Sequence, residues 1–200
     1  MRIFGVILAG GAGRRMGGAD KAMLRLEGRP LIARVVERFE PQVERLAVSA
    51  NGDPSRLDFL GLTVLPDAQA DRGPLAGVLA GLDWAIPQGA TAVVTAAVDT
   101  PLLPEDLVPR LCLAAEEGPH GLAMAQSGGR DHPTFALWPV SMRDPIADFL
   151  ASGEKARLGA LTEAFGATRA VFPAQPDAFA NLNTPEDLAR AGILLSGRKA

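Results

Sequence analysis

Val6-Ile7-Leu8-Ala9-Gly10-Gly11-Ala12-Gly13-Arg14-Arg15-Met16-Gly17-Gly18-Ala19-Asp20-Lys21 joins an apolar run to a glycine-rich loop that carries two arginines and closes on a lysine. The run from Ile3 to Leu8 has no polar member, as a parallel strand covered on both faces requires. Glycines let the backbone approach a ligand and present its N–H groups. Arginine and lysine supply charge for phosphate oxygens. The combination suits a polyphosphate at the end of a buried strand.

Two familiar phosphate loops fail here. A P-loop places Lys-Ser or Lys-Thr after its second glycine. Gly13 and Gly18 have the right spacing, but Ala19 and Asp20 follow. A dinucleotide fingerprint needs Gly-x-Gly-x-x-Gly, and Met16 stands where the third glycine should be.

Outward from the loop, strand-like and helix-like segments alternate. Pro30 opens a helical pattern through Phe39. Leu46–Ala50 and Leu62–Leu65 read as strands, Pro74–Ile86 as a helix and Ala92–Val98 as a fully buried strand. Pro104–Ala115 is the next helix. Leu122–Ala125 and Thr134–Leu137 are strands separated by the Ser127-Gly128-Gly129 turn. Residues 142–164 hold two helix-like stretches; a strand near 168–172 and a helix from about 185 complete the chain. This alternation predicts an α/β fold: a single Rossmann-like domain over residues 1–200, with a mostly parallel sheet and helices on both faces. Ligands then collect at the carboxyl ends of the strands, where loops 9–21, 51–53, 67–73 and 99–104 fall.

Composition narrows the function. A hydrophobic share of 48% and a charged share of 22% are those of a globular chain, and 200 residues suffice for one sizeable core. A net charge of -3 argues against nucleic acid as the main partner. Residues 1–30 nevertheless hold Arg2, Arg14, Arg15, Lys21, Arg25 and Arg29 against Asp20 and Glu27, a cationic end suited to an anionic small molecule. Cys112 is the single cysteine; no internal disulfide can form, and its apolar setting predicts a packed thiol. Glycines interrupt the first apolar run and Arg14-Arg15 follow it, so it is no signal peptide. No apolar run reaches the ~18 residues of a membrane span. A cytoplasmic location without membrane partners is expected.

Asp99 follows the buried run Ala92–Val98 and precedes Thr100-Pro101-Leu102-Leu103. A carboxylate at a strand tip is placed for magnesium, which prefers hard oxygen ligands; a turn or helix cap is the plainer role. Asp67, in Leu65-Pro66-Asp67, can accept the N1–H and N2–H donors that guanine presents and adenine lacks, or simply end a strand. Asn51-Gly52 is a turn signal. Thr184-Pro185 reads as a helix start, and Asp187 completes a capping-box-like pattern. Capping leaves Asn181 and Asn183 unexplained.

The N-terminal loop resembles the signature of nucleotidyltransferases, Leu-Ala-Gly-Gly-x-x-x-Arg-Met-Gly-x-x-Lys in outline. The doubled Gly17-Gly18 before Ala19-Asp20-Lys21 resembles the molybdenum cofactor guanylyltransferase branch, the MobA type. Further family-like blocks are Asp99-Thr100-Pro101-Leu102-Leu103, Gly73-Pro74-Leu75-Ala76-Gly77, Gly129-Arg130-Asp131-His132-Pro133 and Asn181-Leu182-Asn183-Thr184-Pro185. The likeness runs from Val6 to about Leu188; residues 142–170 match no motif.

That resemblance implies a nucleotide-diphospho-sugar transferase-like fold. It implies transfer of GMP from GTP to molybdenum-molybdopterin, with pyrophosphate released. Leu8, Ala9, Gly10, Gly11, Lys21, Asn51, Asp67 and Asp99 would bind the nucleotide. Asp99 would hold Mg2+, and Arg15, Lys21 and Asp99 would carry the catalysis. For Asp67 a base and a ribose contact both stand open. The His132 loop stands between a cofactor contact and a structural turn. Asn181 and Asn183 would touch the pterin or the magnesium shell. Partners would include other cofactor-biosynthesis proteins and acceptor molybdoenzymes. The alternatives are a related enzyme using CTP or a sugar phosphate, a nucleotide-binding regulator without turnover, and, disfavoured by its broken fingerprint, a redox dinucleotide enzyme.

Overall fold

Ile3–Leu8 forms β1, buried at every residue, and the structure is built outward from it. The computed structural model describes residues 1–10, 20–66, 73–152, 157–173 and 178–197. After β1 come the hairpin strands β2 (Arg25–Leu26) and β3 (Arg29–Pro30), α1 (Leu31–Phe39), β4 (Arg45–Ser49), β5 (Thr63–Leu65) and α2 (Pro74–Ala85). Then follow β6 (Ala92–Ala97), α3 (Leu107–Glu116), β7 (Ala123–Ser127), β8 (Arg130–Pro139), α4 (Arg143–Ala151), α5 (Leu158–Ala164), β9 (Thr168–Phe172) and α6 (Pro185–Gly197). Seven strands make one sheet in the order β5-β4-β1-β6-β8-β7-β9. It is parallel except for β8, which runs antiparallel to both β6 and β7.

Side chains of β1 alternate between two cores, as the two-residue period of a strand demands. Ile3 and Ile7 join Ile32, Val35 and Phe39 of α1 and Leu107 and Leu111 of α3. Phe4, Val6 and Leu8 join Leu75, Val78 and Leu82 of α2, with Ile146 and Leu150 of α4 and Leu158 and Leu161 of α5. The mostly parallel sheet with helices on both faces is therefore present. Among the described residues no helix is long and apolar enough to cross a membrane.

Two elements differ from the sequence reading by three or more residues at one end. The strand expected at Thr134–Leu137 extends over Arg130–Pro139. Its register jumps: Met124 faces Ala136, while Ala125 faces His132. Pro133 lies in the unpaired stretch, because it has no N–H to give the ladder. Helix α3 starts at Leu107 rather than Pro104. The segment from Pro104 makes a turn instead, with Leu107 N–H on the Pro104 carbonyl at 3.3 Å. One of the helix's first N–H groups, that of Val108, goes to Gln42 Oε1 at 3.0 Å.

The N-terminal cations are not gathered at one end. Arg2 lies at the start of β1 and pairs with Glu44 at 2.6 Å. Arg29 pairs with Glu37 at 2.9 Å, and Arg25 donates to the Gly28 carbonyl. Lys21 stands at the carboxyl edge of the parallel strands beside Asp99, whereas Arg2 lies at the opposite end of β1. Arg14 and Arg15 lie outside the described residues.

Helix α2 presses on the sheet through Gly77 and Gly81. A Cβ on Gly77 would stand 2.5 Å from Ser49 Oγ, and one on Gly81 would stand 2.7 Å from Val6 Cγ2. Val6 is fully buried and stiff about χ1. Gly81→Ala should therefore destabilise the protein by about 1–2 kcal/mol through overpacking, although helix propensity alone would stabilise by roughly 1 kcal/mol. Urea unfolding decides the sign; a stabilised variant would show that α2 is free to shift.

Candidate active site

Strand order reverses between β1 and β6, which pair in parallel with Leu8 beside Ala97. Such a reversal leaves a crevice at the carboxyl ends of the strands. The Leu8 carbonyl accepts from Val98 N–H at 3.2 Å, and Ala9 N–H donates to the Ser49 carbonyl at 2.8 Å. These bonds hold the chain exits of β1, β4 and β6 side by side.

Three segments meet there. Lys21 opens a short 3-10 turn, Lys21–Met23, capped by Asp20, whose side chain accepts from Ala22 N–H. Asp99 sits in the turn just beyond β6. The Asn181–Thr184 stretch returns from β9 to the same edge. Lys21 Nζ donates to Asp99 Oδ2 at 3.0 Å and to Asn183 Oδ1 at 2.5 Å. The Lys21 and Asp99 side chains are only 18% and 15% exposed, so water screens this pair less than a surface pair. Next to it, Thr100 Oγ1 donates to Asn181 Oδ1 at 3.0 Å, and Leu182 N–H donates to the Asp99 carbonyl at 2.8 Å.

The start of α6 fixes the asparagines. Asp187 N–H donates to Thr184 Oγ1 at 3.1 Å, while Asp187 Oδ2 accepts from the N–H groups of Asn183 and Thr184, each at 3.0 Å. This is a reciprocal capping box with Asp in place of the usual Glu. The Asn183 N–H bond is the foremost cause holding the Asp187 carboxyl below the ordinary range. Beneath the site, Leu26 and Leu31, Leu102, and Leu182 and Ala191 form one small apolar cluster. The segments that carry Lys21, Asp99 and Asn183 thus share a common floor.

Chemically, Asp99 and Asn183 aim two hard oxygens at one cation, the Lys21 ammonium. That donor set fits magnesium, which keeps waters and substrate oxygens and needs only one or two protein carboxylates. Among the described residues no group of three or more His, Cys, Asp or Glu forms an all-protein cage.

The MobA-like NTP transferase domain family matches residues 5–167. This chain belongs to that family. It is 58% identical to a molybdenum cofactor guanylyltransferase from Cereibacter sphaeroides over 98% of both chains. It is 55% identical to one from Rhodobacter capsulatus, covering 96% of this chain and 95% of that one. Molybdopterin-guanine dinucleotide biosynthesis protein A from Archaeoglobus fulgidus superposes with a TM-score of 0.75 at 23% identity, over 97% of this chain and 99% of that one. The 4-diphosphocytidyl-2C-methyl-D-erythritol synthase from Anaerococcus prevotii gives 0.77 at 15%, over 98% and 96%. At such identities these structures speak for the fold alone, a mostly parallel α/β sheet with helices on both faces.

Among the residues of the MobA-like pattern, Lys21, Asp99, Asn181 and Asn183 come together. Leu8 and Ala9 are buried at the tip of β1 and Gly10 is exposed just past it. Asn51 is exposed beyond the end of β4, on the same edge. Gly11, Arg15 and Asp67 lie outside the described residues. Asp99 does not cap α3, whose first turn begins beyond Asp106. Sequence reasoning missed Thr100, hidden in a turn segment, and Arg56, whose Nε donates to Asp20 Oδ2 at 2.5 Å. The signal for Arg56 was Asp53-Pro54-Ser55, a capped turn start that gives the next side chain a fixed base.

His132 is a ring in a ring cluster. It stacks on Phe179 at 4.6 Å between centroids and 17° between planes, and Phe135 and Phe172 meet Phe179 edge-on. Burial, aided by Arg130 and opposed by Asp131, lowers its pKa from the usual 6.5. Below that value the unfolded chain takes up the proton first, so His132 stabilises the fold above pH 6.5 and loses this contribution as the pH falls toward its lowered folded value. His132→Phe keeps the stack and removes the titration. Urea unfolding at about pH 7.5 and about pH 5.5 should show a smaller loss for the variant than for the wild type; equal losses would remove His132 from the pH response.

Proposed function

We propose that this chain transfers GMP from GTP to the phosphate of molybdenum-molybdopterin and releases pyrophosphate, forming a molybdopterin guanine dinucleotide. The observation that carries nucleotidyl transfer is the convergence of Lys21, Asp99 and Asn183 at the exit of β1. The guanine and pterin identities are supported by the relatives' names and by the Gly17-Gly18 loop. A cytoplasmic setting belongs to the same proposal, supported by the lone Cys112.

In this reading an acceptor phosphate oxygen attacks the α-phosphorus of GTP. The bond from the α-phosphorus to the oxygen bridging to the β-phosphate breaks, and its electrons leave with pyrophosphate. The acceptor phosphate is already an anion near neutral pH, so no protein base has to remove a proton. The protein's task is positioning and charge neutralisation. Asp99, with Asn183, would hold a magnesium ion. When bound, that ion supplies positive charge to the phosphate oxygens. Lys21 and Arg15 stabilise the departing pyrophosphate. Gly10 and Gly11 let the backbone come close to the nucleotide, and Asp67 accepts from guanine or ribose.

Pyrophosphate release with each of the four nucleoside triphosphates, with and without molybdopterin, tests this assignment. GTP with molybdopterin should be the fastest pair by roughly ten- to hundredfold, the worth of one buried hydrogen-bonded contact at about 1–3 kcal/mol. CTP equal to GTP would move the chain to the cytidylyl alternative. GTP binding without release under any condition would favour a regulator.

A further inference from the structure

We infer that Arg56 is a positioning residue for Lys21, acting through Asp20. This inference rests on the guanylyl-transfer reading for its kinetic consequence, though not for its structural one. Arg56 lies on the 3-10 turn Pro54–Leu60, which follows the Asn51 loop. That turn is rigid by construction. Asp53 caps it, accepting from Ser55 N–H at 3.0 Å and from Ser55 Oγ at 2.8 Å. Leu57 anchors it in the core with no exposed surface. Gly61 ends it at a left-handed φ of 64°.

From this base the guanidinium makes two bonds in different directions. Its Nε donates to Asp20 Oδ2 at 2.5 Å, and one terminal nitrogen donates to the Asp53 carbonyl at 2.7 Å. Asp20 Oδ1 accepts from Ala22 N–H at 3.0 Å. The Asp20 carboxylate therefore holds the backbone around Lys21 with one oxygen and the Asn51 side of the crevice with the other. Lys21 lies between those two attachments, and its ammonium must reach Asp99 and Asn183 at once. The planar guanidinium orients both donors together, which a freely rotating ammonium does not. The chain has only three lysines, Lys21, Lys155 and Lys199, so the ammonium of Lys21 can be followed individually.

Asp20→Asn keeps the cap acceptor and removes the charge that Arg56 binds, so it breaks the same link from the other side. The test measures both single variants, their combination and Arg56→Lys. Arg56→Ala and Asp20→Asn should each lower kcat by about tenfold, the scale of a small misplacement of a reacting group. KM for GTP should change by less than about threefold. The double variant should be no worse than either single one, since both remove one coupled interaction. Arg56→Lys should retain part of the rate.

Proton–nitrogen NMR of the lysine ammonium groups, with Lys21→Arg identifying the signal, gives a readout independent of turnover. The Lys21 signal should be slow to exchange in the wild type and should shift or exchange faster in Arg56→Ala and Asp20→Asn. An unchanged Lys21 signal would overturn the inference. So would additive losses, or a raised KM with an unchanged kcat, which would make Arg56 a direct nucleotide contact. A wild type without turnover would remove the function proposed above, while the NMR comparison would still decide the role of Arg56.

Discussion

A single ammonium ties together three parts of the chain that lie far apart in sequence. Lys21 reaches Asp99 and Asn183, so the end of the N-terminal loop, the tip of β6 and the start of α6 are fixed relative to one another. The bond network around it is closed. Asp99 also binds the returning chain through its carbonyl, Thr100 binds Asn181, and Asp187 holds the backbone of Asn183. Leu102 and Leu182 bury the underside. An ion pair of this kind would add little on the surface. Here its worth lies in geometry: it sets where a carboxylate and a cation stand at the carboxyl edge of the sheet.

The sheet makes that arrangement possible. Side chains of β1 enter cores on both faces, so the strand cannot slip by one residue without turning its register inside out. Gly77 and Gly81 let α2 settle directly over Leu8 and Val6. The tip of β1 is thus held from the side by β4 and β6 and from one face by α2. A loop that begins at such a tip has a fixed origin, which a site built for positioning requires.

Much of this was legible in the sequence, for identifiable reasons. Ile3–Leu8 carries an unbroken apolar run and Ala92–Ala97 one interrupted only by the buried Thr95, the pattern of a doubly covered strand. Pro74 and Thr184-Pro185 mark helix starts because proline suits a first turn, and Pro30 stands at the cap just before α1. What escaped has a physical cause as well. The extra length of β8 depends on pairing with β7 across a break at Pro133, which no local period reports. The late start of α3 depends on Gln42, distant in sequence, taking the Val108 N–H. The cations of residues 1–30 look like one patch on paper, yet β1 carries Arg2 to the opposite edge from Lys21. Asn181 and Asn183 were visible as residues that capping could not explain, whereas their partners Thr100 and Lys21 emerge only from the fold.

In the proposed transfer, Lys21 acts on the leaving group rather than serving as an anchor for bound GTP. In the proposed reading the phosphates also rest on backbone N–H groups, so ground-state binding has other support. Negative charge on pyrophosphate grows as the α-phosphate bond breaks, and a cation there gains most in the transition state. Steady-state kinetics of Lys21→Ala tests this directly. In the variant kcat and kcat/KM should fall together by at least about tenfold, or about 1.4 kcal/mol. An unchanged kcat with a raised KM for GTP would contradict it.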